Sequence, residues 1–278
     1  MSVSEPLVIA AAPNGARKTP QDHPALPVTA DQLADTAAAC QGAGAAMCHL
    51  HVRDAEGRHS LDPRHYARAV DAIRARVGER LVIQATSESG GVYDPPAQLD
   101  AMRALEPESL SLAVREVIGR TEDETAAGEF LAWARAQGIA VQYILYDRGD
   151  LDRYRELAAR GVIPGTRHWL LFVLGSYAQH RDAAPAELLS FVGADWPDDS
   201  PWMVCAFGPR EAACALTAAG LGGQVRVGFE NNLQLPDGTI APDNAALVAN
   251  VADGARALGR PPAGADELRA RLAALAAG

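Results

Sequence analysis

The sequence predicts an α/β fold, a (β/α)8 TIM barrel, in a single domain covering residues 1–278 with a C-terminal helical extension. Three observations predict it. Eight short apolar runs recur along the 278 residues. Their starts lie about 31 residues apart on average, close to the length of one strand-plus-helix unit. Alanine-rich segments of helical period separate them, and capping signals stand at many of their ends, the pattern of a parallel sheet wrapped by helices.

In order, the strands are expected at Leu7–Ala12, Ala45–His51, Leu81–Thr86, Ser109–Ala113, Ile139–Tyr146, Trp169–Leu174, Trp202–Phe207 and Gln224–Phe229. Helix Asp31–Ala43 follows Thr29, a hydroxyl N-cap, and stops at Gly44. Asp62–Val77 opens on Asp-Pro and stops at Gly78. Thr121 is expected to cap Glu122–Gln137, and Leu151–Arg160 ends at Gly161. Pro209–Ala219, Pro242–Leu258 and Ala265–Ala277 complete the set. Between Tyr177 and Ser200 the pattern weakens, with Ala184–Val192 as a helical candidate. A doubly wound open sheet is the rival architecture. It requires a glycine-rich phosphate turn after the first strand, where this chain has Pro13-Asn14-Gly15-Ala16-Arg17-Lys18.

Composition narrows the function. Hydrophobic residues make up 48% and the formal charge is −10, which suits a globular chain and disfavours nucleic acid or an anionic membrane as partner. No run approaches the roughly 18 apolar residues of a membrane span. The opening MSVSEP has neither a charged start nor a long apolar stretch, which reads against a signal peptide. Cys40, Cys48, Cys205 and Cys214 form no CxxC pair and read as buried thiols of a cytoplasmic protein. No partner to activate a thiolate and no GxSxG motif is visible, so cysteine or serine nucleophilic catalysis is not expected.

In a barrel of this kind the chemistry sits where the strands end. The polar residues there are Asn14; His49-Leu50-His51-Val52-Arg53-Asp54; Thr86-Ser87-Glu88; Ser111 with Arg115-Glu116; Gln142 with Tyr146-Asp147; Gly175-Ser176-Tyr177; and Arg226 with Glu230-Asn231-Asn232. His49 and His51 are the sharpest signal. Two residues apart on a strand, their imidazoles face one side and can reach one metal ion. An HxH pair arises by chance in about one such chain in six, so position at a strand end carries the argument. The bland alternative is a pair of hydrogen-bonded structural histidines.

Glu230 ends the last apolar run, and the last strand of a closed barrel lies beside the first, one strand from His49. Two imidazoles and a carboxylate leave an open coordination position, as catalytic zinc sites do; the alternative is a solvent-facing glutamate. Arg226 lies four residues earlier on the same face, where a buried guanidinium needs a partner. It is expected to orient a substrate carboxylate or to pair with Glu116 or Glu88. Thr86, Ser87 and Ser111 are placed to bind substrate oxygens or to act as caps. Arg17, Lys18 and Arg115 are candidates for charge at the rim. The long first loop, with Asp22-His23-Pro24, reads as a possible lid. His59 and His180 are expected in surface loops, His65 in a helix, and His168 at the opposite end of its strand.

Three segments together resemble the β-keto acid cleavage enzymes: Ala12-Pro13-Asn14-Gly15 with Asp22-His23-Pro24; His49-Leu50-His51-Val52-Arg53-Asp54; and Val225-Arg226-Val227-Gly228-Phe229-Glu230-Asn231-Asn232. The resemblance runs from about residue 7 to residue 258. It implies a zinc-dependent barrel, a homo-oligomer, and condensation of a small-molecule β-keto acid with acetyl-CoA to give acetoacetate and a new CoA thioester. It implies His49, His51 and Glu230 as zinc ligands, Arg226 in the proton-transfer group and Ser87 or Thr86 as its serine. Asn14, Ser111, Gln142 and Gly175 fall where substrate would bind. The family commonly has aspartate where this chain has Asn231, and an amide cannot act as a carboxylate base. Either Glu116 or Glu88 then takes the proton, or the reaction differs from the family's best-known one. The segment Gln142-Tyr143-Ile144 also lacks the acidic residue expected for an amino-bearing keto acid. An amidohydrolase-like hydrolase, which usually places HxH on its first strand and needs further histidines, is one rival. A barrel that binds a metal or anion without turnover is the other.

Overall fold

The eight apolar runs become eight parallel strands: β1 Ile9–Ala11, β2 Met47–Leu50, β3 Val82–Thr86, β4 Ser109–Ala113, β5 Ala140–Leu145, β6 Trp169–Leu174, β7 Trp202–Ala206 and β8 Gln224–Val227. In the computed structural model, which describes residues 5–176, 179–192 and 200–277, they close in the order β1-β8-β7-β6-β5-β4-β3-β2. Residues 1–4 of the opening stretch, Tyr177 and the segment 193–199 lie outside the described residues. Every residue of β2, β3, β4 and β6 is buried. Helices cover the outer faces and side chains fill the lumen, so both faces are buried and the strands are mostly apolar, with Gln84, Ser109, Ser111, Gln142 and Arg226 among the polar exceptions within them.

The helices are α1 Ala30–Ala43, α2 Pro63–Val77, α3 Pro95–Leu105, α4 Val114–Val117, α5 Glu124–Ala136, α6 Arg148–Ala159, α7 Glu211–Gly220, α8 Asn244–Ala257 and α9 Ala265–Ala277. Thr29 and Gln32 form a capping box on α1, and Gly44 closes it at φ 116. Asp62 accepts from Arg64 N at the start of α2.

Several boundaries differ from expectation. Thr121 begins a 3-10 turn and no side chain caps α5. Helix α6 starts three residues before Leu151 because Asp147 accepts from Asp150 N. The expected Ala184–Val192 helix is a 3-10 segment, Pro185–Ser190. Helix α3 was not anticipated, although Asp94 caps it with prolines in its first turn. An unexpected two-stranded ribbon, Val52–Arg53 with His59–Ser60, follows β2. Its turn is held by Asp54, which accepts from Glu56 N and Arg58 N.

The C-terminal extension plugs the bottom of the barrel. Leu268 and Leu272 of α9 pack with Val8, Val82, Trp169 and Leu171 at the strand starts. The opposite end, where the strands stop, is left for the polar residues. No helix among the described residues is long and apolar enough to cross a membrane.

Candidate active site

β2 ends by aiming His49 and His51 into the mouth, both buried. Their Nε2 atoms lie 3.1 Å apart. Each also lies 3.5 Å from Glu230 Oε2, which arrives from the turn after β8. A tetrahedral ion with bonds of about 2.0–2.1 Å needs donors roughly 3.3–3.4 Å apart, and these three separations bracket that value. Glu230 Oε2 is buried and accepts no hydrogen bond among the described residues. A naked carboxylate oxygen facing two imidazole nitrogens is costly without a cation. The three residues are the group able to hold a metal ion among the described residues.

The protonation states suit a cation. Gln84 Oε1 lies 2.8 Å from His49 Nδ1, so Nδ1 carries the hydrogen and Nε2 presents its lone pair. Gln84 is itself bonded to Gln142 and Ser109. Burial pushes His49 down to about 4, Arg226 adding to the shift and Glu230 opposing it. His51 is driven well below the usual imidazole range by burial and by its neighbours His49 and His59. Burial works to raise Glu230, but Arg226 and His49 hold its carboxyl below its ordinary value.

Arg226 projects from β8, where Ala10 of β1 is its register partner. The expected pairing with Glu116 or Glu88 does not form. Its Nη2 donates to Glu230 Oε1 at 2.9 Å and to Cys205 Sγ at 3.4 Å. Four residues of separation on one chain bring Glu230 close enough to take the guanidinium first. Nε and Nη1 of Arg226 keep no protein acceptor among the described residues. Cys205 is pushed by burial up to about 11, so the neighbouring guanidinium does not make it a thiolate, and all four cysteines are free and buried.

The remaining predicted residues divide. Ser87, Ser111 and Asn231 are buried, with side-chain polar atoms lacking partners among the described residues. Thr86 is committed: its hydroxyl accepts from Glu88 N. Glu116 is committed too, its Oε2 accepting from Ser89 N and Gln98 Nε2. Asn14 holds the carbonyls of Pro27 and His51 through Nδ2, while its Oδ1 has no partner among the described residues. Gln142 lies within the lumen below His49, reaching it through Gln84. Gly175 closes β6 at φ +76, where a Cβ would meet Arg181 O and Ala183 N. Arg115, just past the end of β4, pairs with Asp147 and Asp150.

Other side chains complete the site, and one of them, His59, departs from expectation. His59 is not a surface residue. The ribbon folds it back so that its ring centroid is 5.5 Å from that of His51 and its Nε2 is 2.7 Å from Glu88 O. Glu88, partly buried, places Oε2 3.7 Å from His51 Nε2. Burial, with Glu230 and Glu116 adding, pushes it up to about 7. Arg53 donates to the carbonyls of Gly15, Ala16 and Lys18 and so straps the first loop across the mouth. Lys18 Nζ then reaches Glu230 O at 2.6 Å. Gly15, at φ +64, packs on the glutamate: a Cβ there would stand 2.6 Å from Glu230 Cγ. This loop, Glu88, Phe207 and Glu230 line a small cleft beside the three ligands. His168 sits at the other end, bonded to Tyr154.

The family model for beta-keto acid cleavage enzymes matches residues 6–273. The 3-keto-5-aminohexanoate cleavage enzyme of Fusobacterium nucleatum is 31% identical over 271 residues, covering 95% of this chain and 97% of that protein. The 3-oxoadipate:acetyl-CoA acetyltransferase of Cupriavidus necator is 29% identical over 279 residues, covering 97% and 95%. Among solved structures, the binary complex of ObcA with oxaloacetate superposes with a TM-score of 0.69 at 17% identity, covering 90% of this chain and 67% of that one.

Proposed function

This chain belongs to the β-keto acid cleavage enzyme family, and from that premise we propose how it works: it condenses a β-keto acid with acetyl-CoA at a zinc ion held by His49, His51 and Glu230. The observation that carries the metal part of this reading is the trio of donor atoms 3.1–3.5 Å apart, with Glu230 Oε2 lacking a hydrogen bond among the described residues. The same reading takes residues 1–278 as one catalytic domain of a cytoplasmic homo-oligomer.

The overall change balances. The methylene of the keto acid, between ketone and carboxylate, loses a proton. Its carbon bonds to the acetyl carbonyl and the CoA thiolate leaves. The thiolate attacks the original keto carbon, and the bond from that carbon to the former methylene breaks. Acetoacetate and a new CoA thioester result, and the proton is returned. Bound to the three ligands, zinc would supply Lewis-acid stabilisation of enolate charge.

The chain's own groups do the rest. Nε and Nη1 of Arg226, which have no acceptor among the described residues, hold anionic oxygen in a buried setting, where a fixed charge counts most. The hydroxyls of Ser87 and Ser111 and the amide of Asn231 are donors without protein acceptors among the described residues, placed to orient substrate oxygens. Asn14, Gln142 and Gly175 shape the site through the loop, Gln84 and the end of β6. Thr86 sets the turn that presents Glu88. Glu116 is engaged by Ser89 and Gln98, so Glu88, beside His51 and the cleft, is the carboxylate assigned to the proton.

The deciding assay incubates the protein with acetyl-CoA and a panel of β-keto acids and measures acetoacetate. We expect formation that requires acetyl-CoA. Turnover without it means a hydrolase, and none with any substrate means a binding protein. Asn231→Asp puts a carboxylate where this reading needs a donor to an anion. We expect the rate to fall about 10²-fold, as for loss of an oxyanion donor, at unchanged metal content. A rate equal to or above wild type would remove Asn231 from that role.

A further inference from the structure

Glu211 is a carboxylate that the mechanism above does not use, and its burial is hard to account for otherwise. It opens α7, is 2% exposed, and spends both oxygens on one short turn. Gly228 N donates to its Oε1 at 3.0 Å and Asn232 Nδ2 to its Oε2 at 3.2 Å. Those two residues flank Glu230 at equal distance along the chain. We propose that Glu211 is the positioning residue for Glu230, fixing from beneath the turn that aims the carboxylate at the two imidazoles. The inference rests on the metal-site reading given above.

Backbone bonds build the turn and tie it to its neighbours. Asn231 N and Asn232 N both donate to Gly228 O, at 2.9 and 3.0 Å. Glu230 N donates to Ala12 O at 3.1 Å. Side chains then anchor it to the frame. Asn244 accepts from Phe229 N at 2.8 Å and donates to Pro13 O at 3.1 Å. Gly228 sits at φ +144, where a Cβ would run into Ala12 O, so the turn is already pressed against the end of β1. Lys18 pins the Glu230 carbonyl from above. Glu211 faces two donors and, when ionised, offers two acceptors; burial pushes its carboxyl up to about 8, and the bonds from Gly228 and Asn232 oppose that shift. A glutamine offers one, and an alanine none. A buried carboxylate kept for this purpose costs stability that an apolar side chain would not, and its return is the direction of Glu230. Groups that orient a metal ligand in this way typically alter affinity by about 10–100-fold when removed.

The test measures zinc affinity by competition with a chromophoric chelator for wild type, Glu211→Ala and Glu211→Gln, with circular dichroism and thermal melting of the metal-free proteins alongside. We expect Glu211→Ala to bind zinc about 10–100-fold more weakly, and Glu211→Gln, which keeps an acceptor for Gly228 N, to lose less. A purely structural role would lower the melting temperature and leave the affinity of the folded protein unchanged, and that result overturns the proposal. If Glu211→Ala does not fold, Glu211→Gln decides: wild-type affinity in that variant overturns the proposal and weakened affinity supports it. Wild type that takes up no zinc overturns this proposal together with the metal site, whereas wild type that binds zinc beside unaffected variants overturns this one alone.

Discussion

His49→Ala or His51→Ala is expected to strip the protein of zinc, and acetoacetate formation with it. Each variant deletes one of three donors that stand 3.1–3.5 Å apart, leaving two, too few to hold a catalytic ion tightly. Losing several kcal/mol of Lewis-acid stabilisation corresponds to a fall on the order of 10³-fold or more in rate. Elemental analysis after dialysis reads the first effect and the acetyl-CoA assay the second; full metal occupancy in both variants would contradict the assignment.

The same groups fix a pH dependence. Metal and proton compete for a ligand's lone pair. An ordinary imidazole, near 6.5, already loses that competition in mildly acidic solution. Here His49 is held down to about 4 and His51 well below its usual range, while Glu230 is held below the ordinary carboxyl value. All three are therefore unprotonated from about pH 6 upward, and zinc affinity should be flat between about pH 6 and 8, falling only toward pH 4–5. An affinity that halves near pH 6.5 would show that the imidazoles are not depressed. Between about 4 and 6.5 the unfolded chain binds a proton at His49 that the folded chain does not, so stability rises with pH across that window.

The sequence carries this centre unevenly, and the reasons are physical. His49 and His51 stand two apart at the end of an apolar run, and Glu230 ends another. Local pattern plus the rule that a barrel closes last strand to first brings them together. The strands were legible because burial on both faces leaves short, mostly apolar segments at regular spacing, even where Gln84, Ser111 or Arg226 interrupts them. What supports the ligands was hidden. Gln84 meets His49 across 35 residues, Lys18 meets Glu230 across 212, and Glu211 meets Gly228 across 17 through a helix start. Such contacts depend on register and on how each loop folds back, which composition and period do not encode. His59 was misread because four residues of turn between it and Asp54 look like any surface loop, and only the ribbon pairing of Arg53 with His59 returns it to His51. Helix α3 left a local signal, Asp94-Pro95-Pro96, but its apolar period over eleven residues is short. Arg226 shows the opposite failure. Its need for a partner was clear, but the nearest carboxylate was its own chain neighbour, already assigned to the metal.

The second large effect concerns the proton. Glu88→Gln is expected to lower kcat by about 10²–10⁴-fold, the usual contribution of a general base, while zinc content stays at the wild-type level. The amide is nearly the same size and cannot accept a proton onto a carboxylate, so the substitution tests charge rather than shape. Geometry selects Glu88. Its Oε2 lies 3.7 Å from His51 Nε2, and its side chain lines the cleft with Glu230 and Phe207. Glu116 is bound by a backbone N–H and by Gln98, and Asn231 has no carboxylate. Without metal, burial and the neighbouring carboxylates push Glu88 up to about 7; a dication beside it would draw it lower. A base works only when unprotonated, so the wild-type rate should fall as pH drops through an apparent pKa at or below about 7, and Glu88→Gln should lose that limb. Glu116→Gln, which disturbs the bonds from Ser89 N and Gln98, should cost less. If Glu116→Gln proves the more damaging of the two, or if Glu88→Gln keeps both the wild-type rate and its acid limb, the proton goes elsewhere.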